Sequence, residues 1–338
     1  MTKKKLIIIL MLFQVIFATN IWLTIDQSQQ NKVSKLMNNF FPDAQITYFY
    51  WENGLHEILT KIKKKKVPDI LLTGHTYIPF IAYHYKAGPL TEPLFWDVRA
   101  LYIQKDTKST NTSNWSELIN YIQNHNNFIS FPNNWTADNF YNFLPFFNDQ
   151  LPFWVNQSPF SALNMMYTTK LLSKLKQNFP NLFTDNPNEA FLSRKTKAII
   201  SGLWMYNLLE KRGIEFYVNP VPESRNGVKA FKGAYAAVFF NKKSKSLVSV
   251  LKSYDFQKNA WKIFSLLPTN KILLEELKLN PKLKKLIQIN KESRWASSID
   301  PSLLQDRLDS LNKLLNDKKN TEYSNQKLLK HFDNIFIE

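Results

Sequence analysis

Residues 46–72 read Ile-Thr-Tyr-Phe-Tyr-Trp-Glu-Asn-Gly-Leu-His-Glu-Ile-Leu-Thr-Lys-Ile-Lys-Lys-Lys-Lys-Val-Pro-Asp-Ile-Leu-Leu. Ile46 to Trp51 is dense in β-branched and aromatic residues, as strands are. Leu55, Ile58, Leu59 and Ile62 then recur at helical spacing, striping one face of a helix that ends in Lys63–Lys66. Val67-Pro-Asp-Ile-Leu-Leu72 is a further strand. Upstream, Ile21–Ile25 reads as a strand, and Val33, Leu36, Met37, Phe40 and Phe41 stripe a helix that Pro42-Asp43 stops. Strands alternating with helices of this length call for a parallel sheet covered on both faces, with ligands at the carboxyl ends of its strands.

Downstream the pattern repeats with more helix. Trp115–His125 is helical, Phe128–Phe131 a short strand, and Phe140 and Leu163–Leu175 lie in long helical stretches. Thr196–Ser201 reads as a strand, Trp204–Lys211 as a helix, Glu215–Val221 as a strand before the turn 222–227, and Ala234–Phe240 as another strand. From Ser244 onward the chain is almost all helix, with Leu304, Leu308, Leu311 and Leu315 on one face. A second α/β lobe follows. The 338 residues, 44% of them apolar, suffice for two cores without a disulfide or structural metal.

Composition narrows the chemistry. The absence of cysteine excludes disulfides, thiolate zinc sites, thiol nucleophiles and lipid attachment through an N-terminal cysteine. Seven glycines include neither a Walker-type loop nor G-x-G-x-x-G, which argues against nucleotide-driven chemistry. The five histidines show no metalloprotease spacing, and no G-x-S-x-G occurs, so neither a catalytic residue nor a metal site nor a cofactor is assigned. A net charge of +17 favours an anionic partner without choosing one. Lys61 and Lys63–Lys66 look like a nucleic-acid or lipid patch, but at a helix C-terminus the better reading is a solvated end that complements the dipole.

Lys3, Lys4 and Lys5 precede the apolar run Leu6–Ala18, the pattern of an export signal. Residues 1–20 are read as a signal peptide or a membrane anchor. Extension to Ile25 reaches twenty residues, nominally enough to span a bilayer.

The chain is aromatic, with nine Trp, fourteen Tyr and twenty-six Phe. Tyr77, Trp96, Trp135, Tyr141, Trp204 and Tyr235 lie where a strand ends or a helix begins. There a flat ring can stack on the apolar face of a sugar, although each ring fits a core equally well.

Several segments, in order, resemble the extracellular solute-binding proteins of sugar-type ABC importers, the group of maltodextrin-binding proteins. They are Phe49–Ile58 with Val67–Leu72, Trp96–Asp106, Asn114–Leu118, Asn188–Leu192 with Lys197–Trp204, Val218–Pro222, Phe231–Ala234 and Leu267–Lys271. The resemblance implies an α/β, two-lobed, Venus-flytrap fold of the periplasmic binding proteins, each lobe a sheet flanked by helices, with a ligand cleft between lobes. Lobe 1 would take residues 21–104 and a return segment 226–284, and lobe 2 would take 105–225. The C-terminal helices, 285–338, would belong mainly to lobe 2.

By position, Trp204 matches the family's sugar-stacking tryptophan and Asp97 the acid of the crossover strand. Thr73–Tyr77, with His75, matches the first-lobe loop, and Tyr141 an aromatic of the second-lobe wall. Trp135 and Tyr235 complete the expected ligand-binding set. Strand alternation puts Arg99 beside Asp97, where it would bond a hydroxyl or a phosphate, or form an ordinary salt link. Thr73 stands where maltodextrin binders carry tryptophan, and the stretch between Pro93 and Trp96 is short. Both departures favour a mono- or disaccharide, or a polyol, over a long oligosaccharide.

The function implied is a monomeric binding component, not an enzyme, that hands its solute to membrane permease subunits and uses no nucleic acid. An exported glycan hydrolase and a basic surface protein binding an anionic polymer are the alternatives. Without a cysteine it is no lipoprotein. Either a periplasm confines the exported chain, or its N-terminal segment holds it at the outer face of the cytoplasmic membrane.

Overall fold

The computed structural model describes residues 19–316 except 52, 86–89, 107–112, 126, 144–145, 147–161, 225–230, 242–243, 245 and 296–300. The apolar run Leu6–Ala18 and the polar C-terminal residues lie outside that set. In chain order the first elements are β1 (Asn20–Ile25), α1 (Gln30–Phe40), β2 (Gln45–Tyr50), α2 (Gly54–Lys63), β3 (Ile70–Gly74), α3 (Ile78–His84), β4 (Leu90–Val98) and β5 (Ala100–Gln104). There follow α4 (Trp115–Asn124), β6 (Phe131–Pro132), α5 (Ala137–Asn142), α6 (Ala162–Asn178), β7 (Phe183–Thr184), α7 (Pro187–Leu192), β8 (Ala198–Ser201), α8 (Trp204–Lys211) and β9 (Phe216–Asn219). The last are β10 (Phe231–Phe239), α9 (Leu247–Leu251), α10 (Tyr254–Phe264), β11 (Leu267–Pro268), α11 (Lys271–Leu277), α12 (Pro281–Glu292), β12 (Arg294–Trp295) and α13 (Pro301–Asn316).

Two compact units result, residues 1–94 with 235–263 and residues 95–234 with 264–338. The breaks fall inside β4, β10 and α10, where the sequence placed them after residues 104, 225 and 284. The first break precedes β5 because that strand pairs with β8 and β9 of the second unit.

In the first unit β1 lies between β2 and β3 and runs parallel to both, in register Leu23 with Tyr48 and with Leu72. Residues 235–239 of β10 add to β3 antiparallel. Ile21–Ile25 is therefore an inner strand, every residue of it buried, and does not prolong a membrane-spanning run. Trp22, Phe49, Ile58, Ile62, Leu71, Ile81 and Val238 form one core of this unit. Both stripes read in the sequence face inward: Val33, Leu36 and Met37 on α1, and Ile58 and Ile62 on α2.

α2 stops in a Schellman turn. Lys66 N–H donates to the Lys61 carbonyl (3.0 Å) and Lys65 N–H to that of Ile62 (2.9 Å). Lys65 takes φ +57° there. A left-handed conformation costs a side-chain-bearing residue roughly 1 kcal/mol more than glycine.

The second unit departs from the parallel expectation. β5 lies antiparallel between β8 and β9, and helix α8 links that outer pair. Alternation of strand and helix predicts direction only for strands joined through a helix, and β5 arrives from β4 instead. The core of this unit includes Trp115, Leu118 and Ile122 of α4, Trp135, Phe140, and Leu308, Leu311 and Leu315 of α13. α4 opens on a capping box. Asn114 Oδ1 accepts from Glu117 N–H (2.9 Å), and Glu117 Oε2 accepts from Ser113 N–H (2.8 Å). The bonds that the Glu117 carboxylate accepts, first from the Ser113 N–H and hydroxyl and then from Asn114, hold it below its ordinary value.

Candidate functional site

In the second unit, the end of β4 and the β8–α8 turn bring four predicted or adjoining residues together. Asp97 Oδ2 accepts from Arg99 Nη1 (2.8 Å), and Asp97 Oδ1 accepts from the Leu203 N–H (3.3 Å). Their side chains keep 25% and 16% exposure respectively, so the pair is largely but not wholly desolvated. Gly202 makes this approach possible. A Cβ there would lie 2.1 Å from Arg99 Nη1 and 2.9 Å from Cδ1 of Trp204. The turn is tied down from below by Tyr102, whose hydroxyl donates to the Gly202 carbonyl (3.1 Å). Burial pushes the Tyr102 phenol far up; nearby Asp97 reinforces this and Arg99 opposes it. Tyr141 is half-buried, and burial pushes its phenol up to about 12 against the opposing Arg99 charge.

The result is a half-buried indole at the start of α8 beside a carboxylate–guanidinium pair. Chemically that offers an apolar plate, hydrogen-bond donors and an acceptor, the elements by which hydroxylated rings are held. Strand alternation sends Trp96 to the opposite face from Asp97, where Lys232 Nζ lies 5.7 Å from the Trp96 ring centroid.

A second cluster lies at the carboxyl ends of β2 and β3 in the first unit. Trp51 is 41% exposed. Tyr77 packs edge-on against it at 5.6 Å, and the Tyr77 hydroxyl donates to the Trp51 carbonyl (3.0 Å). Burial raises the Tyr77 phenol to about 12. Trp51 rides over Gly74, where a Cβ would meet its ring at 3.3 Å. His75 opens the 3-10 turn His75–Tyr77 and is half-buried.

Tyr235 touches Trp51 edge-on at 6.4 Å but is itself buried, its hydroxyl donating to the Thr24 carbonyl (2.9 Å) and its phenol pushed far up by burial. It supports Trp51 and presents little surface of its own. Thr73 is fully buried, its hydroxyl bonded to that of Thr24 at 3.0 Å, so its place offers no exposed ring position.

Trp135 does not belong to either cluster. It is 1% exposed in the core of the second unit, and Asn312 of α13 binds both its backbone N–H (2.6 Å) and its carbonyl (3.0 Å). The residues missed were Trp51 and Gly202. Trp51 closes a strand just before Glu52-Asn53-Gly54, the carboxyl-end position where ligands of open α/β sheets gather. Among the described residues no group of three or more His, Asp or Glu could hold a metal ion. A cavity of about 420 Å³ lies elsewhere in the second unit, between β9 and α12, lined by Lys105, Phe216, Tyr217, Lys282 and Lys285 among others. No predicted ligand residue lines it.

No protein-family model matches the chain, and no curated protein matches it by sequence. Solved structures do match by fold. The maltose-maltodextrin binding protein of Alicyclobacillus acidocaldarius is 15% identical with a TM-score of 0.68, over 94% of this chain and 100% of that one. The maltose/maltodextrin-binding domain of Bdellovibrio bacteriovorus, bound to maltotriose, gives 15% and 0.68 over 95% and 100%. An ABC transporter solute-binding protein of Thermotoga lettingae, bound to α-D-tagatose, gives 14% and 0.67 over 94% and 99%. The chain has the α/β fold of the periplasmic sugar-binding proteins.

Proposed function

We propose that this protein is the solute-binding component of an ABC importer and captures a small carbohydrate or polyol for delivery to permease subunits in the membrane. One observation carries the reading: the Trp204 indole set beside the Asp97–Arg99 pair over Gly202. An indole face and a polar pair suit a ring that is apolar on its faces and hydroxylated at its rim. The fold neighbours, whose bound sugars range from tagatose to maltotriose, support the same class. Trp51 and Tyr77, in the first unit, form a further aromatic surface of the same chemical kind.

A hydrolytic role has less support. Glycoside hydrolysis takes two carboxylates, and Asp97, the one carboxylate described at this cluster, is engaged by Arg99 and the Leu203 amide. Such a binder works as a monomer outside the cytoplasm, in a periplasm or held at the membrane's outer face by its N-terminal segment.

Titration of the intrinsic tryptophan fluorescence with tagatose, maltose, glucose and sorbitol tests the proposal. A micromolar Kd, about −8 kcal/mol, for at least one of them with the sugar recovered intact is the expected result. Cleavage of the sugar, or no response to any carbohydrate or polyol, sinks it.

A further inference from the structure

The first unit carries a charge cluster that solute capture does not use. Lys63, Lys64, Lys65 and Lys66 are all exposed, and none has an ion-pair partner among the described residues. Lys61, one turn back, is engaged elsewhere, its Nζ 5.8 Å from the Trp22 ring and 6.0 Å from that of Phe49. A helix dipole rewards cations only within its last turn, which Lys61 and Lys63 already occupy. Lys64, Lys65 and Lys66 lie past it, and Lys65 holds a left-handed conformation that glycine would adopt more easily.

The location is informative. Asn20 N–H donates to Asp69 Oδ2 (2.8 Å), Asp69 N–H donates to the Asn20 carbonyl (2.9 Å), and Gln45 N–H donates to the Thr19 carbonyl (2.9 Å). These bonds fix the point at which the chain enters the unit, at the amino ends of β1, β2 and β3. Lys66 is three residues from Asp69, at most about 11 Å of extended chain. The residues that lead to this point are Lys3–Lys5 and the apolar run Leu6–Ala18. Against the lysines at this corner stand the carboxylates Asp43 and Asp69, the second already bonded to Asn20.

We propose that Lys63–Lys66 form a docking face for anionic phospholipid headgroups, which holds the amino-terminal corner of the first unit against the membrane to which residues 1–18 lead. The inference rests on those residues acting as a retained anchor, and their thirteen-residue apolar run suits a segment lying in the membrane interface rather than one that spans it. Four charges within one turn act together on a surface whose field decays over about 8 Å at physiological salt.

The cysteine-free chain permits a direct test. The full chain, carrying Gln45→Cys or Asn53→Cys labelled with a fluorophore, is mixed with phosphatidylcholine vesicles with or without phosphatidylglycerol, each bearing a headgroup acceptor. Residue 45 lies at the amino end of β2, residue 53 at the far end of α2 from the lysines. Energy transfer should be stronger from residue 45, and the excess should grow with phosphatidylglycerol and vanish in high salt. Replacing all four lysines by Gln should lower affinity for the anionic vesicles by up to roughly 1000-fold, about fivefold per lysine, while leaving association with neutral vesicles unchanged.

Lys65→Gly provides a second arm: a higher Tm together with weaker anionic-vesicle binding. Equal transfer from both sites, or no effect of the four substitutions on anionic vesicles, overturns the docking face. So does loss of affinity for duplex DNA alone. Failure to associate with neutral vesicles removes the anchor on which the inference rests and overturns it, as does binding to neither kind of vesicle.

Discussion

Trp204 begins α8 and Trp135 lies just ahead of α5, yet one is half-buried beside a charged pair and the other is sealed in a core. Trp204→Ala should cost about 1–2 kcal/mol of stability and at least roughly 30-fold in solute affinity, as loss of a stacking anchor does. Trp135→Ala should cost about 3–5 kcal/mol through the cavity it leaves. Denaturant melts paired with calorimetric titration separate them, and equal losses of stability with unchanged affinity would assign Trp204 to the core. Gly202→Ala is a sharper probe. The new methyl collides with the end of Arg99, a flexible side chain that can yield, so folding should survive while solute binding falls about tenfold or more.

The tyrosines give the pH response. Tyr77 and Tyr141 are raised to about 12, so between pH 10 and 12 the unfolded chain has released protons that the folded one retains. Stability that is complete below pH 10 should therefore decline through that window. Urea midpoints across it, in the protein and in Tyr77→Phe with Tyr141→Phe, check the sign; a decline that the double variant leaves unchanged refutes the assignment.

At the level of elements, α4 depends on its start. Asn114 supplies the cap oxygen and Glu117 the reciprocal bonds, so Asn114→Ala should cost about 1 kcal/mol, read from the urea midpoint. Glu117 adds a pH signature of opposite sense to the tyrosines. Its depressed folded-state pKa contributes stability above the ordinary carboxylate range that disappears as pH falls through the folded value. An Asn114→Ala protein with an unchanged midpoint would mean the helix is held by Trp115, Leu118 and Ile122 alone.

The element order itself was largely legible. α8 spans the predicted Trp204–Lys211, and the α1, α2 and α13 stripes face inward because a 3.6-residue apolar period has only one side to bury. Strand direction in the second unit was not, since the antiparallel seating of β5 depends on where the chain enters the sheet.

For the molecule as a whole, capture by stacking and hydrogen bonds should raise Tm with added solute, because the ligand binds only the folded chain. That shift should change little between low and high salt despite the net charge of +17, whereas any polyanion held by the lysines should be released by salt. A thermal shift confined to low salt would move the binding role from the aromatic clusters to the basic surface.

Local pattern determined that this chain builds sheets flanked by helices, that it carries no thiol, and that a handful of its aromatic rings fall near element ends. Those properties follow from periodicity and composition within windows of ten or twenty residues. Which ring remains accessible was decided only by tertiary structure. Asn312 closes over Trp135 from 177 positions away, while Asp97 reaches the Leu203 amide across 106. Burial and pairing are set by long-range contacts, and a local sequence window contains no term for a neighbour that folding brings from so far along the chain.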